Sequence, residues 1–185
     1  MRHVVFDTET SGLFISGRPA PRLASIALLF LDQKLDVEHE TLVYVYPKNW
    51  SMTRGATKVN GITDVMLRDR GIEISRVLKA WNLLIDQKVR FISHNIAFDF
   101  KVMRSECIRA GLPARDWELD GFCTMKAMTP VCGLPGRHGY KWPTLREAYH
   151  HFFREPFAAH QALSDARACA MVFKQLHELG YGRIE

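Results

Sequence analysis

The chain has 185 residues, is 47% hydrophobic and 24% charged, and carries a net charge of +5. That length suits a single domain over residues 1–185, which can bury roughly 70% of its unfolded surface without a disulfide or metal staple. The composition excludes a disordered or collagen-like chain, and the longest mainly apolar run, Leu23 to Leu31, is far short of the ~20 residues a membrane span needs. Met1-Arg2-His3 leads into only a short apolar run, so no signal peptide is expected. Four cysteines, at 107, 123, 132 and 169, include no CxxC pair, which predicts reduced thiols and a cytoplasmic location. Cys123, Cys132 and His138 match no zinc-finger or ribbon spacing.

In chain order, the first third reads as strands. His3 to Asp7 is a short β-rich run, Arg22 to Leu31 a longer apolar one, and Val37 to Tyr46 alternates with Val37, His39, Thr41, Val43 and Val45 on one face. Short polar connections between them predict an antiparallel meander. Helices follow. Ile74 to Ile85 carries a helical apolar stripe, Arg90 to Ile92 is a short strand, and helical periodicity returns from Ile96 to Ala110 before Gly111 and Pro113. Thr144 and Glu147 form a capping-box signature ahead of a helix over Leu145 to Phe153, and Ala162 to Leu179 is the last helix, closed by Gly180. The order predicts an α/β domain with a mixed β-sheet, antiparallel in its first three strands and flanked by α-helices.

Acidic residues stand at the element boundaries. Asp7 and Glu9 lie two apart at the end of the first strand, so alternation points both carboxylates to one side. The spacing is not specific alone, because Asp36/Glu38 and Asp116/Glu118 share it; context separates the first pair, which ends an apolar strand and precedes Thr10-Ser11-Gly12-Leu13. Asp99 falls in the first turn of the helix from Ile96, near its buried face, and Asp165 with His160 opens the last helix. Helix capping or a plain surface position accounts for each of these taken singly. Charge is also uneven. No acidic residue occurs between Glu40 and Asp64, where Lys48, Arg54 and Lys58 lie, or between Asp120 and Glu147, where Lys126, Arg137, Lys141 and Arg146 accompany Tyr140 and Trp142. Such stretches suit a polyanion with faces to stack on, although a solvated surface gives the same charge pattern.

Taken together, the motifs resemble the DEDDh 3′–5′ exonucleases of ribonuclease-H-like fold, a family that includes the proofreading subunit of bacterial replicative polymerases, RNase T and oligoribonuclease. Asp7, Glu9, Thr10, Ser11, Gly12 and Leu13 match the family's D-x-E-T-[TS]-G-L; His94, Asn95, Phe98 and Asp99 match H-N-x-x-F-D; His160, Ala162, Asp165 and Ala166 match H-x-A-x-x-D-A. Val59, Gly61, Ile62 and Thr63 match the minor V-x-G-I-T, with Asn60 where many relatives carry histidine, and Cys123-Thr124-Met125 stands where D-T-[LM] is common. The resemblance implies a ribonuclease-H-like fold and two Mg2+ ions (Mn2+ substituting) held by Asp7, Glu9, Asp99 and Asp165. His160 would be the general base, and Thr8, Thr10, Gly12, Leu13, Val59, Asn60, Asn95 and Phe98 would touch substrate. Carboxylates suit hard divalent ions, and two such ions suit phosphodiester hydrolysis. The implied substrate is the 3′ end of a single-stranded nucleic acid, DNA in preference to RNA, cleaved to nucleoside 5′-monophosphates. An RNA-trimming enzyme and a non-catalytic nucleic-acid-binding module are the alternatives.

Overall fold

The structure is a computed structural model that describes residues 2–113 and 121–182; the Asp116/Glu118 pair lies outside the described residues. A five-stranded sheet in the order β3-β2-β1-β4-β5 forms the centre. It contains β1 (His3–Thr10), β2 (Leu23–Leu31), β3 (Val37–Tyr44), β4 (Arg90–Ser93) and β5 (Gly121–Cys123). β1 pairs antiparallel with β2 and β2 with β3, whereas β1–β4 and β4–β5 are parallel. The expected meander and mixed sheet are both present. β1 runs three residues beyond the expected Asp7, and β3 stops at Tyr44, with Val45 making an isolated parallel bridge to Ile72.

Helices cover both faces, which is why β2 reads as a nearly continuous apolar run rather than an alternating one. Along β1 the alternation is strict. Val4 and Phe6 pack with Trp81, Phe91 and Phe100 on the side of α3 (Ile74–Asp86) and α4 (Ile96–Arg109). Val5 packs with Ala27, Leu29 and Ile92 against Ala166, Ala170 and Phe173 of α7 (Ala162–Glu178). β5 comes close beneath α4: a methyl group on Gly121 would lie 2.7 Å from Ile96 Cδ1 and 2.9 Å from Phe100 Cε2, so any larger residue there would have to displace those side chains.

Three helices went unanticipated in the sequence. α1 (Arg54–Asn60) and α2 (Asp64–Arg70) have seven residues each, too short to be stable alone or to display a periodic stripe. The Thr53 and Thr63 hydroxyls cap them, accepting from the backbone N–H groups of Ala56 and Met66, and Ile62 and Leu67 anchor them on Ala24. α5 (Thr124–Cys132) contains Pro130, which masks its helical character. A small hairpin, β6 (Pro135–Gly136) and β7 (Gly139–Tyr140), leads to α6 (Leu145–Phe153), whose expected Thr144/Glu147 capping box is formed. Among the described residues no helix is long and apolar enough to cross a membrane.

One buried carboxylate ties α4 to the start of β2. Glu106, only 1% exposed, accepts hydrogen bonds from the Leu23 backbone N–H (3.0 Å), Arg22 Nε (2.9 Å) and Arg109 Nη1 (2.9 Å). Glu106→Ala would strand the Leu23 N–H, and urea unfolding should show a loss of about 1–3 kcal/mol in stability. A midpoint indistinguishable from wild type would show that the linkage carries no stability.

Candidate active site

The strict alternation of β1 sorts its polar end by face. Asp7 and Glu9 continue the Val5 side toward α7, whose first turn carries Asp165. One carboxylate oxygen from each of the three lies within 4.8 Å of the others, and among the described residues no other group of acidic, histidine or cysteine side chains does the same. Thr8 continues the Val4–Phe6 side toward α4. There its N–H (3.0 Å) and its hydroxyl (2.6 Å) both donate to Asp99 Oδ1, while the Ser93 hydroxyl donates to Oδ2 at 2.6 Å. Asp99 is thus buried, as its place in the first turn predicts, and already accepts three hydrogen bonds.

Burial raises the proton affinity of all four carboxyls, and at Asp7 and Glu9 the neighbouring carboxylates add repulsion. Burial pushes the Asp7 carboxyl well above its ordinary value, and the charges of Asp99, Asp165 and Glu9 push it further. Burial raises Glu9 to about 7 despite the hydrogen bond from Asn60, with Asp165 and Asp99 adding repulsion. Asp99 is raised to about 6 by burial, held back by the donors from Ser93 and Thr8. Asp165 is raised by burial; the His160 backbone N–H, the His160 side chain and the Arg146 charge oppose the rise. Among the described residues no lysine or arginine is seen hydrogen-bonded to Asp7, Glu9 or Asp165, so the cluster presents a set of hard oxygen donors whose charge Arg146 offsets only from a distance. That donor set fits divalent cations such as Mg2+.

Glu9 also lines a cleft of about 700 Å³. Its walls include Gly12, Leu13, Val59, Asn60 and Phe98, all expected from the sequence, with Leu13 76% and Val59 59% exposed. Phe98 is set by Phe14, edge-on at 5.6 Å between ring centres. Asn60 is buried; its Nδ2 donates to Glu9 Oε2 (3.3 Å) and its Oδ1 accepts from the Ile62 N–H (3.0 Å), so its amide holds Glu9 from behind.

Of three further expected substrate residues, two line the cleft and one does not. Thr8 and Thr10 line the cleft, but their hydroxyl protons are committed inside the protein, Thr8 to Asp99 and Thr10 to the Gly12 carbonyl at 2.6 Å. Asn95 is not part of the cleft lining; it stands exposed at the N-cap of α4 in the left-handed region (φ 70°), a conformation asparagine tolerates well. His160, exposed and also left-handed (φ 71°), reaches the cluster through its backbone N–H, which donates to Asp165 Oδ2 at 2.9 Å.

Sequence reasoning missed Ser93, the Thr8–Asp99 pair and the cleft wall formed by Ile15, Arg18 and Pro21. It also missed the role of His94. Burial lowers the pKa of this ring and favours its neutral form, and the ring sits between Thr124 Oγ1 (Nδ1, 3.0 Å) and the Pro143 carbonyl (Nε2, 3.0 Å). A carbonyl can only accept, so Nε2 carries the proton and Nδ1 accepts from the threonine hydroxyl.

The exonuclease family model, RNase T, matches residues 4–173. The chain belongs to the exonuclease family. It is a DEDD-type 3′–5′ exonuclease domain, as the three motifs predict. It is 28% identical over 170 residues to the DNA polymerase III subunit epsilon of Treponema pallidum, covering 91% of this chain and 73% of that one. To the 3′–5′ exonuclease DinG of Bacillus subtilis it is 26% identical over 177 residues, 96% of this chain but 18% of the other. Its fold matches an Escherichia coli exonuclease I in a complex with single-stranded DNA at a TM-score of 0.78 and 23% identity, covering 98% of this chain and 41% of that one. The domain therefore spans about two-fifths of the exonuclease I chain, and the expected ribonuclease-H-like architecture is its fold.

The raised carboxyls give the cluster a thermal signature. A carboxyl that binds its proton more tightly in the folded state than in the unfolded one destabilises the fold as pH rises through that interval, here from about 4 to about 7. In chelator the melting temperature should include this loss, and Mg2+ should reverse it, raising the melting temperature more at about pH 8 than at about pH 5.5. Differential scanning fluorimetry with and without Mg2+ measures this; an equal shift at both pH values would refute the cluster as an ion site.

Proposed function

We propose that this domain degrades single-stranded nucleic acid, DNA first, from the 3′ end and releases nucleoside 5′-monophosphates. The observation that carries the reading is the convergence of Asp7, Glu9 and Asp165 beside an open cleft walled by Leu13, Val59 and Phe98. The relatives support it, since one is a DNA polymerase III subunit and another an exonuclease I in complex with single-stranded DNA. Asp7, Glu9 and Asp165 would hold divalent ions, Mg2+ or in its place Mn2+, with Asp99 supporting the site through water because its oxygens already accept hydrogen bonds. Two such ions would neutralise the carboxylates and activate water for attack at phosphorus.

This chain's own residues complete the reaction. Leu13, Val59 and Phe98 give the terminal bases apolar surfaces that tolerate any base but demand an unpaired end. Glu9, steadied by Asn60, accepts a hydrogen bond from the terminal 3′-hydroxyl. His160 takes the proton of the attacking water as the new phosphorus–oxygen bond forms and the 3′ oxygen of the penultimate nucleotide leaves.

Matched 5′-labelled DNA and RNA single strands in Mg2+ test polarity and sugar preference together. A 3′-hydroxyl DNA strand should shorten one nucleotide at a time. A 3′-phosphate strand should resist, because its charge would meet Glu9. Equal digestion of both ends, or a faster loss of RNA, would overturn the reading. His160→Ala should lower the single-turnover rate by about 10²- to 10⁴-fold, the usual contribution of a general base, while the Mg2+-induced rise in melting temperature stays intact. An unchanged rate would remove His160 from the chemistry.

A further inference from the structure

The hairpin between α5 and α6 presents an exposed run of apolar and basic side chains outside the cleft. Residues 135–142 are all exposed, with Tyr140 at 62% and Trp142 at 64%. Two large aromatic rings in water are costly to keep without a use, since each withholds burial worth roughly 2 kcal/mol from folding. The loop that presents them is nonetheless firmly built. Gly136 pairs with Gly139 across a two-residue turn, Gly139 adopts φ 110°, and the Lys141 N–H donates to the Leu134 carbonyl at 2.9 Å. The turn lifts Arg137 and His138 to its tip. Lys141 pairs with Glu147, the next carboxylate along the sequence. From Gly121 to Arg146 the chain has no acidic residue at all.

This hairpin is fastened to the active site rather than merely near it. The buried Pro143, next to Trp142, gives its carbonyl to His94, the residue that opens the β4–α4 turn leading to Asp99. Three residues later, Arg146 lies close enough for its charge to act on Asp165.

Building on the function proposed above, we propose that Tyr140, Trp142 and Arg137 form a second binding platform for the single strand, holding nucleotides 5′ of those in the cleft by stacking on the two rings and by phosphate contact at the tip. Charge complementarity and continuity with the carboxylate site select this occupant: a single strand offers both unpaired faces and closely spaced phosphates. A platform of this kind would keep the shortened strand bound between cleavage steps.

The test compares wild type, Tyr140→Ala/Trp142→Ala, Trp142→Phe and Arg137→Ala for binding of a labelled DNA single strand of about 15 nucleotides, by fluorescence anisotropy in Ca2+, and for hydrolysis of a dinucleotide in Mg2+. The double variant should bind the long strand about 5- to 100-fold more weakly, keep its dinucleotide rate within about twofold and keep its melting temperature, because both rings are exposed. Trp142→Phe should retain most of the affinity. Arg137→Ala should lower the slope of log affinity against log salt by about 0.7. Long-strand affinity unchanged in the double variant would overturn the platform, and so would a loss confined to a duplex with a 3′ overhang, which would assign the rings to a complementary strand. Tight long-strand binding by wild type without any nucleotide release would instead refute the proposed function and leave the platform standing.

Discussion

The alternation of side chains along β1 is the constraint on which the site depends. β1 lies at the middle of the sheet, with helices on both faces, so each successive residue must commit to one layer or the other. Val5, Asp7 and Glu9 share the layer of α7, and Val4, Phe6 and Thr8 share that of α4. The strand's apolar half fixes the register by burying Val4, Val5 and Phe6 completely. Slipping by one residue would send Phe6 toward α7 and both carboxylates into the aromatic cluster of Trp81 and Phe100. The same packing that stabilises the sheet therefore aims Asp7 and Glu9 at Asp165.

The two faces treat their carboxylates differently. On the α4 face, Asp99 receives three hydrogen bonds from Thr8 and Ser93, which offset part of its burial and fix its orientation. On the α7 face the carboxylates of Asp7, Glu9 and Asp165 meet with far fewer donors, chiefly Asn60 to Glu9 and the His160 backbone to Asp165. The first arrangement is internally satisfied, whereas the second keeps lone pairs free at the cost of mutual repulsion. A cluster left unsatisfied in this way is the expected signature of a cation site, because oxygens already saturated with hydrogen bonds would have little to offer an ion.

Much of this was legible in the sequence, for reasons that differ by element. β2 announced itself by its apolar run and α6 by its capping box, both local signals. Asp7 and Glu9 were singled out by strand context, since the Asp36/Glu38 pair with identical spacing ends up at the surface, Asp36 bonded to Lys174. Where the Thr8 and Thr10 hydroxyls point was not legible, because a motif specifies residue types and not where hydroxyl protons go. Thr8 and Asp99 are 91 positions apart, and His94 and Pro143 are 49 apart, so nothing in local pattern links them. α1 and α2 were invisible because short helices rest on tertiary contacts, here Ile62 and Leu67 on Ala24.

His94 shows how such long-range contacts convert a linear motif into a rigid assembly. Its neutral ring can bridge only in one sense: the Nε2 proton goes to Pro143, leaving Nδ1 for the hydroxyl of Thr124. Thr124 is fully buried at the junction of β5 and α5 and also lies 3.5 Å from Cys169 of α7. One imidazole thus joins the β4–α4 turn, the start of α5 and the approach to α6, while the threonine beside it reaches the helix that carries Asp165. Burial opposes a charge on the ring and so favours this neutral form. The position consequently asks for a side chain with one donor and one acceptor on opposite edges of a flat ring, which histidine alone supplies among the twenty.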